Sequence, residues 1–212
     1  LARIIKEPDM ELFYTPNTIS VVVAIALEES GIAYTPRLVD FTTAEQPKEP
    51  YLTLNPKGRV PTLVTPQGPL TEAGAILDYI GAMAPDLIPH DPFQAGRMRE
   101  VMYYVASTFH IAHAHKMRGA RWADLETSFA DMRAKVPQTV GACCAYLESI
   151  YPLEPFVLGS DFTLADPYLY VVSTWGEGDG VKMANFPKLS AFMETMRARP
   201  SVQAVIAKGM LT

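Results

Sequence analysis

Three short segments among the first eighty residues carry the kinds of group needed to hold a small peptide and to activate a thiol. The first is Arg59-Val60-Pro61-Thr62. A proline opening a strand has no N–H for the ladder and belongs at an edge. The residues leave two arrangements open: an ordinary trans proline, or a cis Val60-Pro61 bond that turns the Val60 backbone outward. In the second, an extended ligand such as a peptide's cysteinyl unit pairs antiparallel with Val60. The second segment is Leu70-Thr71-Glu72-Ala73-Gly74-Ala75-Ile76, where a helix begins at Thr71 or Glu72. Its first N–H groups and dipole suit an incoming carboxylate, and Glu72 offers a carboxylate to an ammonium group. A helix that merely starts with a favourable acid explains the same residues. The third is the turn Tyr14-Thr15-Pro16-Asn17-Thr18-Ile19-Ser20. It places several donors beside another helix N-terminus, where a thiol would ionise below its reference pKa of about 8.5. Capping of that helix by Asn17 or Thr18 needs no ligand.

Two further groups carry less chemistry. His110, His113 and His115 fall within six residues, the first two sharing a helix face at i, i+3. No acidic or cysteine ligand accompanies them at matching spacing, while Lys116, Arg118 and Arg121 add positive charge. The segment reads as a patch for an anion or polar substrate, and no metal is expected. Cys143 and Cys144 are adjacent and point about 100° apart on a helix, a poor disulfide pair. They read as small buried hydrophobes in a reducing, cytoplasmic compartment.

The elements that must position these groups divide the chain in two. Glu11–Tyr14 is a predicted strand, and Thr18–Ser30 a helix stopped by Gly31. Ala33–Asp40 and Val60–Val64 follow as strands, separated by a proline-rich stretch and the turn Asn55-Pro56-Lys57-Gly58. Gln67-Gly68 turns the chain into Pro69-Leu70, and a helix then runs to Met83. A small mixed sheet with packed helices fits this order. Beyond Pro85–Pro92 every segment reads as helix: Phe93–Lys116, Asp124–Tyr151 with a kink at Pro137, Leu164–Trp175, Phe186–Arg199, and a last one from Ser201. Thr163-Leu164-Ala165-Asp166 forms a capping box, each side chain serving the other's backbone N–H.

Composition narrows the function. The 212 residues carry a net charge of −5 and no basic face, which excludes nucleic-acid binding of the usual electrostatic kind. The longest apolar run, Ile19 to Leu27, is about half of what a membrane span needs. Leu1–Asp9 has no signal-peptide core and reads as an extension before the first strand.

Taken together, these residues resemble the cytosolic glutathione transferase superfamily over residues 10 to 210. Leu54-Asn55-Pro56-Lys57-Gly58-Arg59-Val60-Pro61-Thr62-Leu63 is similar to the family's Asn-Pro-x-Gly-x-Val-Pro segment, and Leu70-Thr71-Glu72-Ala73-x-Ala75-Ile76-Leu77 to its Thr-Glu-Ser-x-Ala-Ile helix start. The Phe162–Asp166 capping box and the Phe186–Val202 pattern add to the likeness. The resemblance implies an α/β thioredoxin-like domain at 10–85, an all-α domain at 93–212, a homodimer and a glutathione site. By it, Pro61 is cis, Val60 pairs with the cysteinyl group, and Glu72 with the Ala73 backbone holds the γ-glutamyl end. Gln46, Lys57 and Arg59 are candidates for the glycine carboxylate. Ala73 replaces the common serine and removes one hydroxyl donor.

The active-site turn resembles the bacterial beta class most, yet that class's cysteine falls at Ile19. Against serine-type classes the catalytic position is Asn17, whose amide donates to a thiolate without acting as a base. The resemblance thus implies Asn17 as thiolate stabiliser, Thr18 and Ser20 as supporting donors, and Tyr14 as a weaker option. A small, mostly apolar electrophile is expected between the domains near Phe13, Tyr14, His110, His113 and Trp122. Conjugation of glutathione to that electrophile is the leading function. A glutathione-dependent disulfide-bond reductase and a non-catalytic binding protein are the alternatives.

Overall fold

A computed structural model describes residues 10–212; the expected extension Leu1–Asp9 lies outside them. Two compact units result, one of residues up to Pro85 together with Arg199–Thr212, the other Asp86–Ala198.

The first unit is built on a four-stranded sheet of order β2-β1-β3-β4. β1 (Glu11–Tyr14) pairs parallel with β2 (Thr35–Leu38) and antiparallel with β3 (Thr62–Thr65), which pairs antiparallel with β4 (Gly68–Thr71). α1 (Ser20–Ser30) connects the parallel pair. Its β-branched run would also suit a strand, but residues 20–27 are all buried, and a segment apolar on every side settles as a covered helix. Gly31, at φ 69, ends it. α2 (Tyr51–Leu54) and α3 (Ala73–Met83) complete the thioredoxin-like order.

Of the helices expected at 93–212, the last groups with the first unit. α9 (Pro200–Ala207) packs on α1 in the first unit, since its apolar face is what covers α1. Ion pairs of Arg199 with Glu29 and Lys208 with Glu28 fasten the two. α9 closes in a Schellman turn: Gly209 at φ 70 donates to Ile206 C=O at 2.9 Å, and Met210 N–H to Val205 C=O at 3.0 Å. Met210 and Leu211 are then buried.

The second unit contains α4 (Pro92–Tyr104), α5 (His110–Ala114), α6 (Glu126–Ile150), α7 (Ala165–Ser173) and α8 (Pro187–Ala198). α6 contains Pro137. Between α4 and α5 a π-helical stretch, Val105–Phe109, shifts the register just before His110. In the capping box before α7, Asp166 Oδ2 accepts the Thr163 N–H at 2.6 Å, while Thr163 Oγ1 donates to that same carboxylate at 3.0 Å and accepts the Ala165 N–H at 3.4 Å. Aspartate is one carbon shorter than glutamate, so its oxygens lie within reach of the hydroxyl.

Cys143 and Cys144 are buried free thiols on α6. Burial pushes both thiols up, Cys144 to about 12, while the Tyr104 hydroxyl partly offsets this at Cys143. Only thiolate reacts, so a maleimide at pH 7 is expected to label neither in the folded protein and both in denaturant. Mass spectrometry reads this directly, and native labelling at the rate of a free thiol would contradict it.

Candidate functional site

Sheet register gathers the candidate residues at one end. The pairs Phe13↔Thr62 and Thr62↔Thr71 leave the β1–α1 turn, Val60-Pro61 and Glu72-Ala73 together beyond the last ladder pairs. The Val60-Pro61 bond is cis. Pairing starts only at Thr62, and no hydrogen bond among the described residues uses Val60 N–H or C=O. Both are held in place from behind. Arg59 C=O accepts from Tyr51 OH at 2.5 Å and Asn55 Nδ2 at 2.6 Å, and both side chains also reach Thr62 Oγ1, at 2.9 and 3.1 Å. Tyr51 and Asn55 are 2% and 1% exposed. Their bracing role is missing from the sequence reading, where Asn55 stands in a turn and in the Asn-Pro-x-Gly-x-Val-Pro likeness without a partner assigned to its side chain.

Glu72 stands at the N-terminus of α3 with φ 70, a region that side chains other than glycine rarely occupy and that costs about 1–3 kcal/mol. No side chain caps the helix. Only Ile76 N–H bonds back to Glu72 C=O, at 3.0 Å, leaving the N–H groups of residues 73–75 without a partner among the described residues. The exposed Glu72 carboxylate pairs with Lys57 Nζ, which also donates to Thr71 Oγ1 at 2.8 Å. Lys57 is thus brought to Glu72. Arg59 is exposed beside it in the chain. Gln46 joins this loop through its backbone: a Cβ on Gly58, at φ 59, would lie 3.0 Å from Gln46 C=O. Gln46 Oε1 is buried without a hydrogen-bond partner.

In the turn the hydroxyls are turned inward. Thr18 Oγ1 donates to Thr15 C=O at 2.7 Å, and Ser20, fully buried, lies 2.7 Å from Thr18 Oγ1 and accepts the Thr15 N–H at 3.1 Å. Each hydroxyl has one proton, so these contacts leave Thr18 no second donor, and burial removes Ser20 from any ligand. Capping by Asn17 is also corrected: α1 starts at Ser20 with Ile19 at its N-cap and no side-chain bond. Asn17 is exposed at φ 57, its N–H donating to Met210 C=O at 2.9 Å. Tyr14 is half-buried at the strand end.

Phe13 packs on Tyr51, ring centroids 5.7 Å apart, beside Val39 and Val60. His110 and His113 flank Trp175 at 5.2 and 4.3 Å, whereas Trp122 meets His115 at 4.6 Å. The histidine patch is not simply cationic. Asp179, 4% exposed, lies 2.7 Å from His113 Nδ1 and 3.4 Å from Lys116 Nζ. Sixty-six residues separate His113 from this acid, which is why the sequence showed no acidic partner at matching spacing.

Known proteins similar to this chain include glutathione S-transferases. A family model described as the glutathione S-transferase N-terminal domain matches residues 8–82, and one for the C-terminal domain matches residues 114–209. Glutathione S-transferase GstA of Escherichia coli O157:H7 is 30% identical over 207 residues, 95% of this chain and 100% of that protein. A glutathione transferase homolog from Sulfitobacter, solved with bound glutathione, is 56% identical with TM-score 0.94, covering 96% of this chain and 100% of the other. The beta-class glutathione S-transferase of Sphingomonas chungbukensis is 30% identical with TM-score 0.81, covering 94% and 99%. With register, open Val60 edge and uncapped α3 all in the matched region, the chain belongs to the glutathione S-transferase family.

Proposed function

We propose that this protein is a glutathione transferase in which Val60 pairs with the cysteinyl backbone and the α3 N-terminus with Glu72 holds the γ-glutamyl end. The observation that carries this reading is the unused N–H and C=O of Val60, set at the same end of the sheet as the uncapped N–H groups of residues 73–75. An extended peptide with a terminal amino acid supplies what each lacks: a strand for the edge and a carboxylate for the helix end. Glu72 is the counter-charge for its ammonium group, and Gln46, Lys57 and Arg59 surround the place for the glycine carboxylate. Asn17, exposed in the turn, is the residue assigned to the sulfur. Bound thiolate then attacks a small, mostly apolar electrophile, with catalysis from thiolate stabilisation and proximity. The protein is proposed to act as a cytoplasmic homodimer, as the family likeness implies.

Calorimetric titration with glutathione, followed by turnover of an aryl halide, tests the reading. Glu72→Gln is expected to weaken glutathione binding about 10- to 100-fold, the worth of a charge-assisted hydrogen bond. Binding without turnover of either an aryl halide or a mixed disulfide would make the chain a binding protein. Absence of glutathione binding would sink the enzyme reading altogether.

A further inference from the structure

The carboxylate assigned to the ammonium of glutathione is itself paired with an ammonium in this structure. Lys57 Nζ forms an ion pair with Glu72 and donates to Thr71 Oγ1 at 2.8 Å. Lys57 is the one ion-pair partner of Glu72 among the described residues. The lysine leaves a turn that is held in place. Its N–H donates to Asn55 Oδ1 at 3.2 Å, Gly58 N–H donates to Asn55 C=O at 2.9 Å, and Asn55 is 1% exposed. Thr71 is fixed as well, by its ladder pairing with Thr62 at the end of β4. Turn and strand end, both in the first unit, thus set Lys57 against the start of α3.

Chemically, Lys57 duplicates the group that Glu72 is there to receive. A lysine side chain and an amino-acid terminus both present a charged ammonium with three donors. The two cannot share one carboxylate without bringing like charges within a few ångströms of each other. The pair is also of a kind that gives way. Its side chains are 42% and 69% exposed, and exposed ion pairs are weak. A ligand with its own ammonium has to take the lysine's place on Glu72. A ligand without one leaves the pair intact, and the neutralised Glu72 does not repel the carboxylate that arrives at the helix N-terminus.

We propose that Lys57 is a specificity-determining residue of the glutathione site: by competing for Glu72 it lowers the preference for a free γ-glutamyl amine and admits analogues that lack it. This rests on the reading of Glu72 as the group that takes the ammonium. Lys57 acts through Glu72, which leaves the glycine carboxylate to Gln46 and Arg59. Two other roles fit the same lysine. One is a direct contact to the glycine carboxylate, and the other is a link between the turn and α3 that serves stability alone.

Two probes separate these roles: glutathione, and glutaryl-cysteinylglycine, which is glutathione with its α-amino group replaced by hydrogen. Calorimetry gives Kd for each, and their ratio cancels any effect that Lys57 has on both ligands alike. Lys57→Met removes the charge and keeps an unbranched side chain. It is expected to raise the preference for glutathione over the amine-free probe by about two- to fivefold, the scale of an exposed ion pair. In a Glu72→Gln background the same change should leave the ratio unaltered, because no carboxylate remains to compete for. An unchanged or lowered ratio in Lys57→Met overturns the proposal. Both affinities falling together assigns Lys57 to the glycine carboxylate, and a fall in Tm alone assigns it to stability. An equal rise of the ratio in the Glu72→Gln background also overturns it, since that is plain repulsion of the ligand's ammonium by a nearby cation. If Glu72→Gln by itself leaves the ratio at the parent value, Glu72 does not receive the ammonium. The reading of the site then fails and takes this proposal with it, which is a separate outcome from failure of Lys57→Met alone.

Discussion

Asn17→Gly is expected to lower kcat by about 10- to 100-fold while glutathione affinity changes by no more than a few-fold. Glycine is the informative replacement because Asn17 sits at φ 57, where glycine is unstrained and alanine is not. The change therefore removes the amide without adding a backbone penalty. A hydrogen bond to a charged group contributes about 1.5–3 kcal/mol, and the thiolate is charged where the thiol is not. Losing the donor raises the bound thiol's pKa by about 1–2 units at 1.36 kcal/mol each. The thiolate fraction at pH 7 falls, and the alkaline-rising limb of the pH–rate profile moves to higher pH. The neighbouring hydroxyls offer no substitute, since Thr18 donates to Thr15 C=O and Ser20 is fully buried. Spectrophotometric titration of bound glutathione checks the pKa, and stopped turnover assays across pH check the limb. An unchanged thiol pKa removes Asn17 from the mechanism.

The largest loss of stability is expected at Asp166. This carboxylate is fully buried and receives Val157 N–H at 2.8 Å, Thr163 N–H at 2.6 Å and Thr163 Oγ1 at 3.0 Å. It joins the loop before α7 to the start of that helix, which is buried along its whole length. Asp166→Ala leaves buried donors without acceptors, at about 1–3 kcal/mol apiece before relaxation. A net destabilisation of about 3–5 kcal/mol follows, within reach of the whole stability of an ordinary domain. Asp166→Asn keeps one acceptor oxygen but turns an NH2 toward remaining donors, so it should recover only part of the loss. Urea denaturation followed by circular dichroism measures both. A cost under about 1 kcal/mol for alanine would show that water or a backbone shift replaces the carboxylate.

These two residues also mark how far the sequence can be read. Asp166 and Thr163 are three apart, so their pairing is a local pattern, and only the direction of one hydroxyl differed. The same holds for Gly31 as a helix stop and for the helix start at Glu72-Ala73. Contacts closed by the fold were invisible. Thr212 lies 195 residues from Asn17, and nothing in either neighbourhood announces the other. Asp179 beneath His113 and Lys57 on Glu72 are the same kind of pair. Burial of Ser20 was hidden for another reason. A serine in a polar turn looks accessible until the direction of its side chain is known, and that depends on where Thr15 and Thr18 send their own groups. The transferase fold was thus legible through local signals, while the environment of the sulfur-facing residues was set by long-range ones.

The placement of Arg199–Thr212 with the first unit has a consequence for biosynthesis. Domains made on the ribosome usually fold in the order in which they emerge. Here the earlier of the two units is completed after the later one, because α9 and the residues that meet Asn17 are translated after all of Asp86–Ala198. Until then α1, apolar on every side, has one flank uncovered in the nascent chain. The helical unit has all its residues earlier, and the half that contains Val60 and Glu72 must wait for Arg199–Thr212 before it can close.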